Sequence, residues 1–294
     1  MKFPQEVNRL IEMALREDIG KRDITTELCI PKGVRCRGKM IFREKAVAAG
    51  LGLLPYIFKK LDHRVKVRIL AKEGSTVGKN RLVATLVGPA RSILTGERTV
   101  LNFVTHLSGV ATLTRSYVEK VKPYRAQILA TRKTTPGLRF LEKSALRAGG
   151  GDDHRMGLYD QILVKENHLE IRSKAIGRRE DLKSWTKALK KKTSRGIKIE
   201  VEAQSLSVLR QLLASPVDII LLDNLPIPQI HQAVLLRNQR RKRPLLGVSG
   251  GVTLKTVRAV AKTGVERISV GRLTHSAPAI NISIDIDRVS HGTV

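Results

Sequence analysis

Val7, Leu10, Ile11, Ala14 and Leu15 recur at helical spacing, which predicts an amphipathic helix over residues 1–20. The polar stretch 18–26, which contains Gly20, reads as a loop. From Cys36 to Val87 the period shortens to two. Alternating runs at 65–69 and 82–87 are separated by turn signals at 72–75 and 77–80, and this predicts an antiparallel sheet with one helix at 53–61. Residues 91–121 return to helical spacing, with Leu94, Val100, Leu101, Val104 and Leu107 on the apolar side, and read as one or two helices.

After Pro123 the texture changes again. Short apolar runs at 127–130, 161–165, 197–202, 218–222, 245–248 and 267–270 alternate with helical stretches. Strands spaced by helices predict parallel pairing through right-handed crossovers. Six such strands, each ending in polar residues, point to an α/β barrel, complete or incomplete, rather than an open sheet. No dinucleotide-binding or phosphate-loop glycine signature follows any of them.

Length and composition fit this reading. The chain of 294 residues is long enough for one large domain or two ordinary ones, and its 41% hydrophobic content supplies a core built from aliphatic side chains, since only 3% is aromatic. No apolar run reaches the roughly 18 residues that span a bilayer, and the first residues lack a signal-peptide pattern. A cytoplasmic protein with Cys29 and Cys36 as reduced thiols is therefore expected. Charge is the outlier, with 55 Lys and Arg against 26 Asp and Glu, a net of +29. Such a field draws in polyanions and speeds anionic substrates. The runs Arg178-Arg179, Lys190-Lys191-Lys192 and Arg240-Arg241-Lys242-Arg243 fall on predicted helices or their ends, and read as a solvated outer face rather than a binding tract.

In a barrel, the residues just past each strand line one mouth, and sites form there. In order these are Arg132 and Lys133, Lys165, Glu202, Asp223 with Asn224, Ser249-Gly250-Gly251, and Gly271. Cations come first, carboxylates in the middle and small residues last. The segment 131–139 puts cations and hydroxyls on one turn, an anion-binding arrangement. Ser249, Gly250 and Gly251 before a helix, with Gly271 on the next strand end, suit a phosphate held by backbone N–H groups. Glu202 and Asp223 could hold Mg²⁺ or stabilise a developing sugar cation. His154, beside Arg155 and after three glycines, reads equally well as a reacting group or as a satisfied structural histidine. No metal-ligand spacing and no nucleophile–base pairing is evident.

These residues resemble the quinolinate phosphoribosyltransferase family. The resemblance is carried by Thr131-Arg132-Lys133-Thr134-Thr135-Pro136-Gly137-Leu138-Arg139, Leu141-Glu142-Lys143, Gly149-Gly150-Gly151, His154-Arg155-Met156-Gly157-Leu158 and Val164-Lys165-Glu166-Asn167-His168. It extends to Glu97-Arg98, Leu107-Ser108-Gly109, Glu200-Val201-Glu202, Leu222-Asp223-Asn224 and Leu273-Thr274-His275-Ser276. It implies an N-terminal open-faced α/β sandwich over 1–112, rejoined by 274–294, and an incomplete α/β barrel of about seven strands over 113–273. It implies transfer of phosphoribosyl from phosphoribosyl pyrophosphate to quinolinate with loss of CO₂, a step of NAD biosynthesis that uses Mg²⁺.

By the same resemblance Arg98, Arg132, Lys133, His154, Arg155 and Lys165 take quinolinate. Lys133, Lys165, Glu202, Asp223, Ser249, Gly250, Gly251 and Gly271 take phosphoribosyl pyrophosphate, and Glu202 and Asp223 take Mg²⁺. Lys133, Lys165, Glu202 and Asp223 are the expected catalytic set. A homodimer or larger homo-oligomer is implied, with Arg98 completing the partner subunit's site. Four departures stand out: Gly247 in place of a usual glutamate, Ala130 in place of an aspartate, Asp153 in place of an asparagine, and Ser215-Pro216-Val217 in place of Ala-Gly-Ala. Two rivals are a related transferase-like protein associated with molybdenum transport, and a polyanion-binding barrel. The Leu-Glu-Lys and Asn-His segments favour the quinolinate enzyme over the first. The matched cations lie at strand ends rather than in one stripe, so nucleic acid is not the expected partner, and neither is a membrane.

Overall fold

The computed structural model describes residues 3–177, 181–241 and 243–291, so Arg178, Arg179 and Lys242 of the basic runs lie outside the described residues. Two compact units emerge: residues 1–115, 133–150 and 272–294 form one, and residues 116–132 and 151–271 the other.

In the first unit, α1 (Gln5–Ile19) buries Val7, Ile11 and Leu15, the stripe that its periodicity marks. The stretch expected as a loop over 18–26 is shorter than that. Asp23 accepts a hydrogen bond from the Thr26 N–H at 2.9 Å and so caps a helix, α2 (Ile24–Cys29). The strands are β1 (Val34–Phe42), β2 (Ala46–Val47), β3 (Lys66–Ile69), β4 (Thr76–Val77) and β5 (Arg81–Pro89), with α3 (Leu53–Leu61) between β2 and β3. β1 alternates buried and half-buried residues along its whole length, the signature of a strand with one face on a core. The sheet order places β1 between β5 and the last strand, β13 (Ile282–His291), all antiparallel, with β3 at the far edge. β2 and β4 form a separate two-stranded ladder.

Residues 90–121 form one helix, α4 (Ala90–Val121), rather than two. Of its predicted apolar side, Val100, Leu101, Val104 and Leu107 are nearly inaccessible, while Leu94 is half-buried. Gly109 of the Leu-Ser-Gly motif sits where the C-terminal segment crosses this helix, since a Cβ there would lie 2.0 Å from the Pro278 carbonyl oxygen. The first unit also holds α5 (Arg139–Ala148) and the short α11 (Arg272–His275).

The second unit is an open half-barrel. Its strands are β6 (Gln127–Ala130), β7 (Asp152–Asp153), β8 (Ile162–Val164), β9 (Ile199–Ala203), β10 (Ile219–Asp223), β11 (Leu245–Ser249) and β12 (Arg267–Val270). They pair in parallel in the order β7-β6-β12-β11-β10-β9-β8. The crossovers are α6 (Glu166–Ile176) and α7 (Leu182–Lys192) between β8 and β9, α8 (Leu206–Leu213) before β10, α9 (Ile227–Asn238) before β11 and α10 (Val257–Lys262) before β12. Every residue of β9 is buried, and all but the last of β10, as expected of parallel strands covered on both faces. The six strands read from the sequence are present, and the seventh is β7. It has two residues, both aspartate, so it carries no apolar run to detect. β7 and β8 are the two edges, and because they do not pair the barrel stays open.

Gly109 supplies a test of the packing of α4. In a helix interior, Gly→Ala alone stabilises by roughly 1 kcal/mol. Here the new methyl would overlap a backbone oxygen that no rotamer change can move, and overpacking of this kind costs about 1–3 kcal/mol or more. Gly109→Ala is therefore expected to lower unfolding stability by about 1–2 kcal/mol in urea titrations. A stabilised variant would contradict the contact.

Candidate active site

Parallel pairing brings the carboxyl ends of the strands to one edge of the half-barrel. Arg132 follows β6, Arg155 follows β7, Lys165 follows β8, Glu202 lies near the end of β9, and Asp223 and Ser249 end β10 and β11. In the register Glu202 pairs with Leu221, and Asp223 with Ser249. Glu200, Glu202, Leu221, Asp223, Gly247 and Ser249 therefore point to one face of the sheet.

The cations sit against carboxylates. Lys165 Nζ lies 3.4 Å from Glu202 Oε1, the lysine half-exposed and the glutamate buried. The Arg155 side chain is buried and donates from Nη1 to the Gln161 carbonyl oxygen at 3.0 Å. Burial, and then the neighbouring Arg132 cation, pull the Arg155 guanidinium below its ordinary value, while Glu200, Asp160 and Glu202 pull it back. A buried guanidinium beside a half-buried one is an arrangement that a nearby anion would stabilise.

Beneath them lies a residue to which the sequence reading gave no separate role. Glu200 is fully buried. It accepts a hydrogen bond from Gln161 Nε2 and lies 2.7 Å from His154 Nε2, an ion-pair distance although off the line of a hydrogen bond. Glu200 Oε1 has no hydrogen-bond partner. Gly247 explains the room around it, since a Cβ at 247 would lie 3.6 Å from that oxygen and 3.0 Å from Leu221 Cδ1. A glutamate at 247 would set a second carboxylate against Glu200. The His154 side chain therefore faces a buried carboxyl group, while its backbone N–H donates to the Ala130 carbonyl oxygen at 3.2 Å. Gln161 was read only as the start of a strand. Its functional signal, a polar side chain opposite a buried glutamate, exists only in three dimensions.

The last strand ends are tied together. Ser249 Oγ donates to Asp223 Oδ1 at 2.6 Å, and Asn224 Nδ2 donates to Asp223 Oδ2 at 2.9 Å. Asn224 has a positive φ of 55°, and Gly250 and Gly251 have φ of 87° and 62°. A Cβ on Gly250 would fall 2.0 Å from Asn224 Oδ1, so both the left-handed backbone and the close approach require glycine there. Gly271 closes this unit after β12.

Arg98 and Lys133 fall in the other unit. Arg98 is an exposed residue of α4. Lys133 is exposed, and its carbonyl oxygen accepts from Thr274 Oγ1 at 2.6 Å. Two residues on, the Thr135 N–H donates to Glu142 Oε2 at 3.1 Å, and Glu142 Oε1 lies 2.9 Å from His106 Nε2. Glu142 is fully buried, so the Leu-Glu-Lys segment shapes the turn that carries Lys133. His168 acts locally too, with Nδ1 accepting from the Lys165 N–H at 2.8 Å at the start of α6.

Among the described residues no cluster of three or more His, Cys, Asp or Glu is arranged to hold a metal. Glu202 and Asp223 are two carboxylates on adjacent strands. That is the number Mg²⁺ takes when substrate phosphates and water complete its shell, so the donor set fits. No described helix is long and apolar enough to cross a membrane.

Two family models cover nearly the whole chain. The quinolinate phosphoribosyl transferase N-terminal domain matches residues 23–108, and the corresponding C-terminal domain matches residues 110–285. A probable nicotinate-nucleotide pyrophosphorylase [carboxylating] of Bacillus subtilis is 36% identical over 96% of this chain and 93% of its own. The nicotinate-nucleotide pyrophosphorylase [carboxylating] of Mycobacterium leprae is 39% identical over 94% of this chain and 95% of its own. The solved nicotinate-nucleotide pyrophosphorylase of Francisella tularensis superposes with a TM-score of 0.88 at 36% identity, over 97% of this chain and 98% of that one. The half-barrel, its cation-lined strand ends and this end-to-end similarity agree: the chain belongs to the quinolinate phosphoribosyl transferase family.

Proposed function

We infer that this chain joins quinolinate to phosphoribosyl pyrophosphate and releases CO₂ and pyrophosphate, giving nicotinate mononucleotide for NAD biosynthesis. The observation that carries this reading is the meeting of Arg132, Arg155, Lys165, Glu202 and Asp223 at one edge of a half-barrel of this family.

Quinolinate offers two adjacent carboxylates. Arg132, Arg155 and Lys165 are the half-barrel groups that take them, with His154 alongside and Lys133 between quinolinate and the pyrophosphate. Binding of the dianion relieves the repulsion between Arg132 and Arg155, so the acceptor is held by groups already oriented toward it. The quinolinate nitrogen then bonds to the ribose anomeric carbon as the bond from that carbon to pyrophosphate breaks. Glu202 and Asp223 stabilise the positive charge that develops on the sugar. Ser249, Gly250, Gly251 and Gly271 hold the 5′-phosphate through N–H groups and the hydroxyl. Glu202 and Asp223 would hold Mg²⁺, which when bound would supply positive charge against the pyrophosphate. Once the ring nitrogen is quaternary, the bond to the adjacent carboxylate breaks, its electron pair is stabilised beside the nitrogen, and a proton from solvent replaces CO₂. No covalent enzyme intermediate is needed.

The chain acts as a homodimer or larger homo-oligomer in which Arg98 completes the partner subunit's site, in the cytoplasm. The exposed position of Arg98 on α4 supports this.

Three measurements test the reading. Purified protein with Mg²⁺, phosphoribosyl pyrophosphate and quinolinate should form nicotinate mononucleotide by mass, and none if either substrate is omitted; no product from folded protein would refute the assignment. Arg132→Ala and Arg155→Ala should raise the quinolinate KM at least tenfold, about 1.4 kcal/mol or more of lost binding, while Asp223→Ala should lower kcat by a factor of roughly 100. Unchanged constants in all three would remove these residues from the site. Mixed subunits of Arg98→Ala and Lys165→Ala, each inactive alone, should recover part of the wild-type rate. No recovery after confirmed exchange would exclude a shared site.

A further inference from the structure

A group of the second unit's exposed cations lies at the edge of the half-barrel opposite the catalytic one. Residues 190–198, which lead into β9, hold five exposed cations, among them Lys190, Lys191 and Lys192. The segment before β11 adds the exposed Arg240, Arg241 and Arg243, and the segments before β6 and β12 add further exposed lysines and an arginine. The strands all run parallel, so the residues preceding them lie on one edge, at the far end from Arg132, Lys165 and Asp223. β6, β12, β11, β10 and β9 are consecutive neighbours, and at about 4.8 Å per strand they spread these segments over roughly 20 Å.

Few acids answer this charge. Lys190 pairs with Asp218 at 2.6 Å, and Lys122 with Glu119 at 3.9 Å. Lys191, Lys192, Arg240, Arg241 and Arg243 have no acidic partner among the described residues. Such an edge repels a second copy of itself. It also lacks the apolar and aromatic side chains that seat a protein in a lipid surface or stack single-stranded bases, since the four segments contain one aromatic residue, Tyr124. A nucleic-acid duplex needs neither. It presents one negative charge per ~1.7 Å, or about 11 over the same roughly 20 Å.

We propose that the amino-terminal edge of the half-barrel binds the phosphate backbone of double-stranded nucleic acid, separately from the catalytic edge. Recognition is by charge and position, without base readout. This reverses the expectation, drawn from the sequence, that these basic runs are only a solvated outer face.

The test uses the full-length protein and short fluorescent DNA and RNA duplexes, with affinity followed by anisotropy from low to physiological salt. With roughly six phosphates contacted, log Kd should change with log salt at a slope near 5 in magnitude. Changing Lys190, Lys191 and Lys192 to Glu, or Arg240, Arg241 and Arg243 to Glu, should weaken binding at least tenfold and flatten the slope by about 2.7, at 0.9 per lost contact. Quinolinate turnover should be unaffected. A charge-matched control, with Lys21, Lys32 and Lys79 of the other unit changed to Glu, should bind as the wild type does. Equal weakening by that control would show a diffuse field and overturn the proposal. So would absence of duplex binding, or tighter binding to anionic vesicles than to duplex.

Discussion

Parallel pairing in one sheet is the constraint on which the rest depends. Parallel strands give a sheet two unlike ends, and each strand delivers its following residue to the same edge. In this half-barrel that edge receives Arg132, Arg155, Lys165, Glu202, Asp223 and Ser249 from six strands scattered over the sequence. The register does the finer work. With Glu202 opposite Leu221 and Asp223 opposite Ser249, the carboxylates share a face and stand one strand apart. A slip of one residue in β9 would turn Glu200 and Glu202 away and present Val201 instead.

Charge sets the energetics of that edge. Glu200 is buried beneath the cations, where Gln161 hydrogen-bonds it, His154 stands at ion-pair distance and the Arg155 guanidinium attracts it. Arg155 is buried beside Arg132, and its proton affinity is lowered for that reason. In the proposed reading a dianionic ligand offsets that cost, which links binding energy to preorganisation. Gly247 belongs to the same balance, because it leaves Glu200 without a second carboxylate against it.

Much of this was legible in the sequence, and the exceptions share a cause. α3 was read with its observed bounds, and six barrel strands were read to within a few residues, because their apolar periodicity is long enough to count. β7 was not found residue by residue, because two aspartates at a sheet edge carry no hydrophobic signal. α2 reads as loop because its six residues are too few to show a helical period, and the Asp23 cap marks the helix only through its hydrogen bond. Candidate residues at strand ends were readable from chain order alone. Glu142 and Gln161 were not, because their work is to hold other groups across long sequence gaps, and nothing in their local spacing marks it. The basic runs are visible in the sequence, but that two of them precede strands of one parallel sheet follows only from the topology.

The central claim is that the clustered cations read two adjacent carboxylates on the acceptor. The most direct test compares quinolinate with nicotinate, which lacks the carboxylate lost in the reaction and yields the same nucleotide. With both at matched phosphoribosyl pyrophosphate, kcat/KM for quinolinate should exceed that for nicotinate by roughly a thousandfold or more, since a cationic site built for two carboxylates, with Arg155 buried in it, is left partly unpaired by one. Comparable kcat/KM for the two acceptors would contradict the account.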